Sequence, residues 1–252
     1  MSSYLNTAYN ADIYQSFRPT YPESFYSKIL QYHRDNNKKL LSTEKLGTLL
    51  DVGCGTGVTT IPFAKNFTNA VGTDFSPNMI KAARERVTES DNVKFQVAKA
   101  EDSDSIVPAG SIDVLTAAEC VHYTDKEKFI ESSLTVLKSG GTLAYWIYIR
   151  PIFKNEKINQ LFQDFTFKGD SLLSDFQFFL KTVNEKILND PRFTNVQNII
   201  FNQNYTKMSK DYDPKVLPGN TAKVYGDYEQ HKNDILDIYK TFTVPMMILS
   251  MF

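Results

Sequence analysis

The sequence is poor in the residue types that build metal centres and disulfide frameworks. Its 252 residues include two cysteines and three histidines. Cys54 and Cys120 are too few for a disulfide framework or a zinc site, so we expect no bound metal and a reducing compartment. Both cysteines fall on segments that we expect to face a ligand, and we do not expect them to form a bridge.

An excess of one charge is also missing, because 28 basic and 29 acidic residues leave a net charge of -1. This balance gives no electrostatic reason to expect nucleic acid and favours a small-molecule partner. The N-terminus has neither the basic start nor the apolar core of a signal peptide. The longest strongly apolar run, residues 244–252, is too short to span a bilayer. We therefore expect a cytoplasmic protein without a membrane partner, and the oligomeric state stays open.

The most informative stretch is residues 48–57, which read TLLDVGCGTG. Apolar residues predict a short buried strand at 48–52, and glycines follow it at Gly53, Gly55 and Gly57. Glycine permits backbone conformations that are closed to other residues, and it lets a ligand approach the main-chain amides. A strand, a glycine loop and a helix in this order are typical of a nucleotide-binding turn.

The spacing of the glycines distinguishes between the known nucleotide-binding motifs. The dinucleotide pattern GxGxxG would place its third glycine at position 58, which is Val58, so a nicotinamide dehydrogenase is disfavoured. The phosphate-binding pattern with Gly-Lys-Ser/Thr is absent from the sequence. The pattern present is DxGxGxG, which begins with Asp51 at the strand end. A generic glycine-rich turn that binds no nucleotide is the alternative.

Strands and helices alternate from residue 48 to residue 150, which predicts an α/β fold with a doubly wound, mostly parallel sheet. The predicted strands are 48–52, 70–73, 93–97, 112–117 and 142–149. Helices are predicted at 58–66, after the start signal Ser76-Pro77, and from Thr124, where Glu127 completes a capping box.

We expect a single domain over residues 1–252, made of three parts. Residues 1–47 form an N-terminal helical cap, residues 48–150 form the binding core, and residues 151–252 supply substrate-side helices and the remaining strands. The last part is less regular than the core. Its predicted elements are helices near 158–165 and 172–188, a strand at 196–201, and a loop or disordered stretch at 202–233.

Several residues follow the carboxyl ends of the predicted strands, where ligands bind in an open α/β sheet. Asp74 could accept hydrogen bonds from two ribose hydroxyls, or it could be a solvated aspartate that caps the next helix. After Ala100, either Glu101 or Asp102 could accept a hydrogen bond from an adenine amino group. The backbone before and at Glu119 could line the rest of such a ligand.

Three cations are candidates for acting on a substrate. An unperturbed histidine titrates near pH ~6.5, so His122 could accept a proton or hold an anion, or it could be a loop histidine bonded to backbone. The planar fork of Arg18 suits a substrate carboxylate, or a structural pair with an acid of the protein. Arg150, after the fifth strand, is the third. His33 and His231 lie in polar contexts and are expected to be solvated.

Four segments, DVGCGTG, VGTDFSPNMI, AKAED and AAECVHY, resemble the class I S-adenosylmethionine (SAM) methyltransferases. More narrowly, the patterns YxxxRPxYP and YWxYxxP are similar to the fungal branch that contains the trans-aconitate and cantharidin-resistance methyltransferases. The likeness covers about residues 4–155. It implies a Rossmann-like fold, SAM as the cofactor, and methylation of a small molecule, such as O-methylation of a carboxylic acid like trans-aconitate.

The resemblance also implies residue roles. Tyr14 and Arg18 would close over the cofactor or the substrate, and the amino acid end of SAM would rest on Gly53 and face Asp51. The expected cofactor-binding residues are Tyr14, Arg18, Asp51, Gly53, Gly55, Gly57, Asp74, Ala100, Glu101 and Glu119. The expected catalytic residues are His122 and Arg18.

The C-terminus departs from the family pattern. Family members generally run longer and finish with a reversed strand that completes the sheet and helps wall the substrate pocket. Residues 241–252 contain Pro245, which costs a ladder hydrogen bond in a central strand, so a degraded last strand and an unrelated tail are both open. A degraded wall would favour the alternative function, which is a SAM-binding protein without catalysis.

Overall fold

The computed structural model describes residues 21, 23–37, 44–88, 91–147, 150–153, 157, 158, 160, 161, 164, 186, 190–201, 222–225 and 239–251. Its helices are α1 (Glu23–Asn36), α2 (Thr60–Ala64), α3 (Pro77–Arg84) and α4 (Lys126–Val136). Its strands are β1 (Leu46–Val52), β2 (Phe67–Asp74), β3 (Val93–Val97), β4 (Ile112–Ala118), β5 (Leu137–Trp146), β6 (Arg150–Phe153), β7 (Phe193–Phe201), β8 (Ala222–Tyr225) and β9 (Tyr239–Met251). Two short 3-10 helices span Ala100–Ser105 and Val121–Tyr123.

The sheet has the strand order β3-β2-β1-β4-β5-β9-β7-β8, and β6 pairs with β9. The first five strands run parallel to one another, which confirms the predicted doubly wound α/β fold. Strand order reverses between β1 and β4, and this switch point opens a crevice at the carboxyl ends of the strands. The topology therefore fixes where a ligand is expected before any side chain is considered.

Apolar side chains cover both faces of the parallel sheet, as expected for strands buried between crossover helices. One buried cluster joins α1, α2 and α3 to the sheet, and it includes Phe25, Phe63 and Leu49. The other joins α4 to the opposite face, and it includes Phe129 and Leu50. Neighbouring leucines of β1 thus serve different faces, which follows from the alternation of side chains along a strand.

The C-terminal segment is the last strand of the sheet. β9 runs antiparallel between β5 and β7, so the reversed strand is present and the segment is not an unrelated tail. The β5 pairing ends at Trp146 with Met246, and the β6 pairing begins at Arg150 with Thr243. Pro245 lies between these two ladders, opposite Ile200 of β7. On the side of β5 and β6 no pairing requires an N–H from this position, because neither of those two ladders includes it.

Three local predictions were wrong or incomplete. Asp125, not Thr124, is the N-cap of α4, and its side chain accepts a hydrogen bond from the Lys128 amide. The Thr124 hydroxyl instead donates to the Val121 carbonyl at 2.8 Å. α2 is shorter than predicted, and the stretch predicted as loop contains β8. Most of the helix predicted at 172–188 lies outside the described residues.

His33 is buried, which contradicts the prediction that it is solvated. It is 2% exposed, and its Nδ1 lies 2.9 Å from the Thr142 hydroxyl, so it joins α1 to β5. Burial lowers the pKa of His33 from 6.5 to about 4, because the imidazolium would lose its hydration. His231 lies outside the described residues. None of the helices in the described ranges could cross a membrane.

Candidate cofactor site at the carboxyl end of the sheet

A cavity of about 440 Å³ lies at the carboxyl ends of β1 to β4, at the topological switch point. Six of the residues that the sequence singles out line it: Gly53, Gly55, Asp74, Ala100, Glu101 and Glu119. They come from four different loops of the chain. The sheet topology brings them together, because parallel strands end at one edge.

The remaining candidates lie elsewhere. Asp51 and Gly57 sit beneath the glycine loop and do not line the cavity, and His122 lies beside the wall without lining it. Tyr14 and Arg18 fall outside the described residues, so their roles stay predictions. The backbone of Arg150 opens β6.

Asp74 is held in one orientation by backbone donors. Its Oδ2 accepts a hydrogen bond from the Gly55 amide at 3.0 Å, and its Oδ1 accepts one from the Ser76 amide at 2.8 Å. Burial raises the pKa of Asp74, whereas these two hydrogen bonds lower it. Each carboxylate oxygen has two lone pairs, so Asp74 can still accept from a ligand in the cavity.

Asp51 is fully buried below the loop and serves the fold. Its two oxygens accept hydrogen bonds from the hydroxyls of Thr60 at 2.5 Å and Thr116 at 2.7 Å. It therefore ties the end of β1 to the start of α2 and to β4. Burial raises the pKa of Asp51 from 3.8 to about 6, although both hydroxyls oppose this shift.

Two of the loop glycines have different reasons to be glycine. Gly55 has a φ of +55°, and a Cβ placed on it would meet no atom within 4 Å, so its open side belongs to the cavity. Gly57 has a φ of +79°, and a Cβ there would stand 2.8 Å from the Phe95 ring. The first glycine leaves room for a ligand, and the second lets the loop pack against β3.

The structure decides between the two acids that follow β3. Glu101 lines the cavity, whereas Asp102 is exposed and does not. The Oε1 of Glu101 accepts a hydrogen bond from the Asp125 amide at 2.9 Å. Its Oε2 makes no hydrogen bond to the part of the chain that the structure describes, so this oxygen is available to a ligand donor.

Glu119 holds an unusual backbone conformation at the end of β4. Its φ is +58°, in the left-handed region, where a side chain costs roughly 1–2 kcal/mol. Its amide donates to the Trp146 carbonyl at 2.9 Å, which holds the strained residue against β5. Strain of this kind is concentrated at ligand sites. The carboxyl end of β4 is therefore shaped for the cavity rather than for the sheet.

Several lining residues were not singled out from the sequence. Phe75 and Met79 give the cavity an apolar side next to Asp74, and Lys99 contributes at the end of β3. Cys120 lines the cavity at the end of β4, as expected for its segment. All but Met79 lie within two residues of a strand end, so position alone could have found them. Met79 lies one turn into α3, where the sequence predicts an ordinary core contact.

These residues fit an adenosyl ligand. Asp74 offers carboxylate oxygens suited to ribose hydroxyls, and Oε2 of Glu101 can accept from an amino group. Phe75 is 38% exposed beside them, which gives an adenine ring an apolar surface. Gly55 leaves space at the wall where any other residue would place a Cβ.

The methyltransferase-domain family profile matches residues 50–145. Residues 50–145, which include the cavity, are thus similar to a methyltransferase domain, and this likeness supports SAM as the cofactor. A Saccharomyces cerevisiae protein named "Probable S-adenosylmethionine-dependent methyltransferase CRG1" is 33% identical over 155 residues, which cover 60% of this chain and 50% of that protein. A Claviceps purpurea methyltransferase is 30% identical over 164 residues, which cover 64% of this chain and 48% of the relative. The chain thus spans about half the length of the curated relatives that it matches.

A solved structure agrees with the fold. Phosphoethanolamine N-methyltransferase 2 of Haemonchus contortus, crystallised with SAM, aligns with 100% of this chain and 60% of its own, with a TM-score of 0.53. Sequence identity in that alignment is 16%, so the likeness concerns the fold alone. The two chains therefore share a Rossmann-like α/β fold.

Substitution with alanine can distinguish the role of Gly55 from that of Gly57. Gly57→Ala should lower the free energy of unfolding by about 2 kcal/mol or more, because strain and overlap with Phe95 add. Gly55→Ala should cost only about 1–2 kcal/mol of stability, yet weaken S-adenosylhomocysteine binding by about 10-fold or more, because its methyl group enters the cavity. Urea unfolding and calorimetric titration measure the two effects. Equal stability losses would contradict the assignment.

The buried His33 and Asp51 should give opposite pH dependences of stability. Between pH 4 and 6.5, His33 binds its proton only in the unfolded state, so this group makes stability rise with pH. Between pH 3.8 and 6, Asp51 binds its proton only in the folded state, so this group makes stability fall with pH. Each contribution is about 3 kcal/mol, and the two largely cancel in the wild type.

Substitution of either His33 or Asp51 should reveal the pH dependence of stability that the remaining group contributes. In urea unfolding, His33→Gln should be less stable at about pH 6.5 than at about pH 4.5, relative to the wild type, and Asp51→Asn should show the reverse order. The quantity compared is the change in the free energy of unfolding between the two pH values. A loss of stability that is the same at both pH values therefore does not affect the comparison. If the free energy of unfolding of each variant follows the same pH dependence as that of the wild type, neither group titrates as its burial requires.

Proposed function

We propose that this protein transfers the methyl group of SAM to a small-molecule acceptor, and that the acceptor is a carboxylic acid, as in the fungal trans-aconitate branch. The observation that carries the cofactor half of the proposal is the cavity at the switch point, where Asp74 is fixed against the Gly55 amide. The acceptor half is supported by the candidate residues Arg18 and His122 that the sequence singles out and by the sequence likeness to that branch.

The chain has a residue for each part of the cofactor. Asp74 would accept from the ribose hydroxyls, and Glu101 would accept from the adenine amino group while Phe75 packs against the ring. Gly53 and Glu119 line the opposite part of the wall, where the amino acid portion would lie. When bound, SAM supplies a methyl group on a sulfonium centre, which needs a nucleophile in line and no acid for the leaving group.

The protein's contribution is to orient the reactants and to exclude water. Holding two reactants in line can supply about 7–11 kcal/mol of the barrier. A carboxylate acceptor carries no proton to remove, so its requirement is a cation that fixes it. The cavity wall contains one basic residue, Lys99, and three acidic residues, Asp74, Glu101 and Glu119. The charge of the wall therefore does not favour binding of an anion.

Arg18 and His122 would supply this cation from outside the wall. Tyr21, three positions after Arg18 in the sequence, packs edge-to-face on Trp146 with ring centroids 5.5 Å apart. Trp146 in turn accepts the Glu119 amide at the cavity. Tyr21 therefore packs at the end of β5, whose last carbonyl holds Glu119 at the cavity, and its closeness in sequence to Arg18 supports the proposal that Arg18 clamps the acceptor. For an acceptor with a hydroxyl or amine, His122 would act as the base.

The alternative is a SAM-binding protein without catalysis, whose last strand no longer forms a substrate wall. The antiparallel pairing of β9 with β5 argues against an unrelated tail and supports the catalytic proposal. The alternative would still be favoured if the protein bound SAM and a broad acceptor screen found no turnover.

Asp74→Asn tests the cofactor half. The amide keeps one acceptor oxygen but loses the charge, so we expect S-adenosylhomocysteine to bind about 10- to 100-fold more weakly, or ~1.5–3 kcal/mol. Asp91→Asn is the matched control, because Asp91 also accepts a backbone amide, that of Thr88 at 2.6 Å, but is exposed and remote from the cavity. Calorimetric titration measures both. Unchanged binding in Asp74→Asn would remove the proposed ribose contact.

Mass spectrometry with deuterium-labelled SAM tests the acceptor half. The wild type should form a labelled methyl ester from at least one member of a panel of small di- and tricarboxylic acids. Arg18→Met should reduce ester formation through a higher KM for the acid, because it removes the clamp. A panel without any labelled ester would defeat the carboxylate proposal.

A further inference from the structure

One wall of the cavity is a short turn, residues 120–124, that carries three lining residues and His122. Cys120, Tyr123 and Thr124 line the cavity, and the 3-10 helix Val121–Tyr123 sets their spacing. A three-residue 3-10 helix has few internal hydrogen bonds and poor bond geometry. Its position must therefore be fixed by contacts from outside the turn.

Lys126 supplies such contacts from the first residue of α4. Its Nζ donates to the His122 carbonyl at 3.0 Å and to the Thr124 carbonyl at 2.5 Å. The lysine thus reaches back and clamps both ends of the segment that bears His122 and Tyr123. The ammonium is partly buried, and desolvation lowers the pKa of Lys126 while Glu101 raises it, which places the acid close to this clamp.

Glu101 connects the same turn to the adenine edge. Its Oε1 accepts the Asp125 amide at 2.9 Å, one residue after the turn and one before Lys126. Its Oε2 makes no hydrogen bond within the described ranges, and Glu101 lines the cavity. A ligand that donates to Glu101 would therefore act on the group that anchors the base of the turn.

We propose that Lys126 is a positioning residue that holds the turn 120–124 in place as the wall between the cofactor and the acceptor. Lys126 itself does not line the cavity, so it acts through the carbonyls of His122 and Thr124. This inference rests on the proposed function for its cofactor readout. A second readout, the reactivity of Cys120 without any ligand, does not depend on that function.

The alkylation rate of Cys120 reports whether the turn 120–124 is held in place. The cysteine is half-buried, its thiol donates to the Val52 carbonyl at 3.2 Å, and it sits on the cavity wall. Burial raises the pKa of the Cys120 thiol, so alkylation by iodoacetamide should be slow while the turn is held. Mass spectrometry of peptides separates its alkylation from that of Cys54, which is buried below the loop.

The test compares four forms of the full chain: wild type, Lys126→Met, Lys126→Arg and Lys128→Met. Methionine keeps an unbranched apolar side chain and removes the donors, whereas arginine restores donors. Lys128 lies on the same helix with its side chain 74% exposed, so its substitution is the matched control. Each form is titrated with S-adenosylhomocysteine and alkylated with iodoacetamide, with and without that ligand.

Lys126→Met should bind S-adenosylhomocysteine about 10-fold more weakly and alkylate at Cys120 about 10-fold faster without ligand. Lys126→Arg and Lys128→Met should both stay near the wild type in S-adenosylhomocysteine affinity and in the rate of Cys120 alkylation. Rescue by arginine separates positioning from a general loss of stability. If Lys126→Met does not fold, Lys126→Gln, which keeps a shorter donor, takes its place.

Two results would overturn the proposal. One is an unchanged Cys120 rate in a folded Lys126→Met protein, because the turn would then be held by other contacts. The other is equal damage in Lys126→Arg, because the hydrogen bonds would then not be the cause. A wild type that ignores S-adenosylhomocysteine would instead defeat the proposed function, and the ligand-free alkylation rates would still decide the role of Lys126.

Discussion

The contact on which the site depends is the hydrogen bond between the Asp74 carboxylate and the Gly55 amide. It joins the end of β2 to the loop after β1, and the other oxygen of Asp74 holds the Ser76 amide at the start of α3. A second bond, from the Cys54 amide to the Thr73 carbonyl at 2.9 Å, runs parallel to the first. Two neighbouring crossovers are thereby locked together at the point where the sheet reverses its strand order.

Two aspartates end neighbouring strands, and their partners give them different tasks. Asp51 is surrounded by hydroxyl donors and fully buried, and the negative charge of Asp74 further raises its pKa. Asp74 is held by amides that lie to one side of it, so its other side reaches the cavity. A buried carboxylate with both oxygens satisfied stabilises the strand ends, whereas one with spare lone pairs can bind a ligand. The same residue type near the ends of neighbouring strands therefore has different partners, and only Asp74 reaches the cavity.

Much of the fold could be predicted because local signals and burial agree. The apolar run of β3 has the observed bounds, and the parallel sheet follows from the alternation of elements. β9 was harder, because a proline is tolerated only where neighbouring ladders leave a gap, and that gap depends on how β5 and β6 end. His33 was misjudged for a similar reason. Its sequence neighbours are polar, and its burial comes from packing against β5, 109 residues away.

The site shows the limit of sequence reasoning more sharply. The glycine loop and Asp74 carry a recognisable pattern, but Lys126 has the appearance of an ordinary surface charge at a helix start. The charge of the wall is mainly negative, since the three predicted acids Asp74, Glu101 and Glu119 outnumber Lys99, which is not singled out from the sequence. A wall of this sign attracts a sulfonium cofactor more strongly than its neutral thioether product, which favours exchange after transfer. It also repels an anion, so under the proposed function a carboxylate acceptor would need Arg18 and His122 to supply compensating positive charge. The cofactor and such an acceptor would then require opposite charges from different segments, and the turn 120–124, whose carbonyls Lys126 binds, would form part of the wall on the cofactor side.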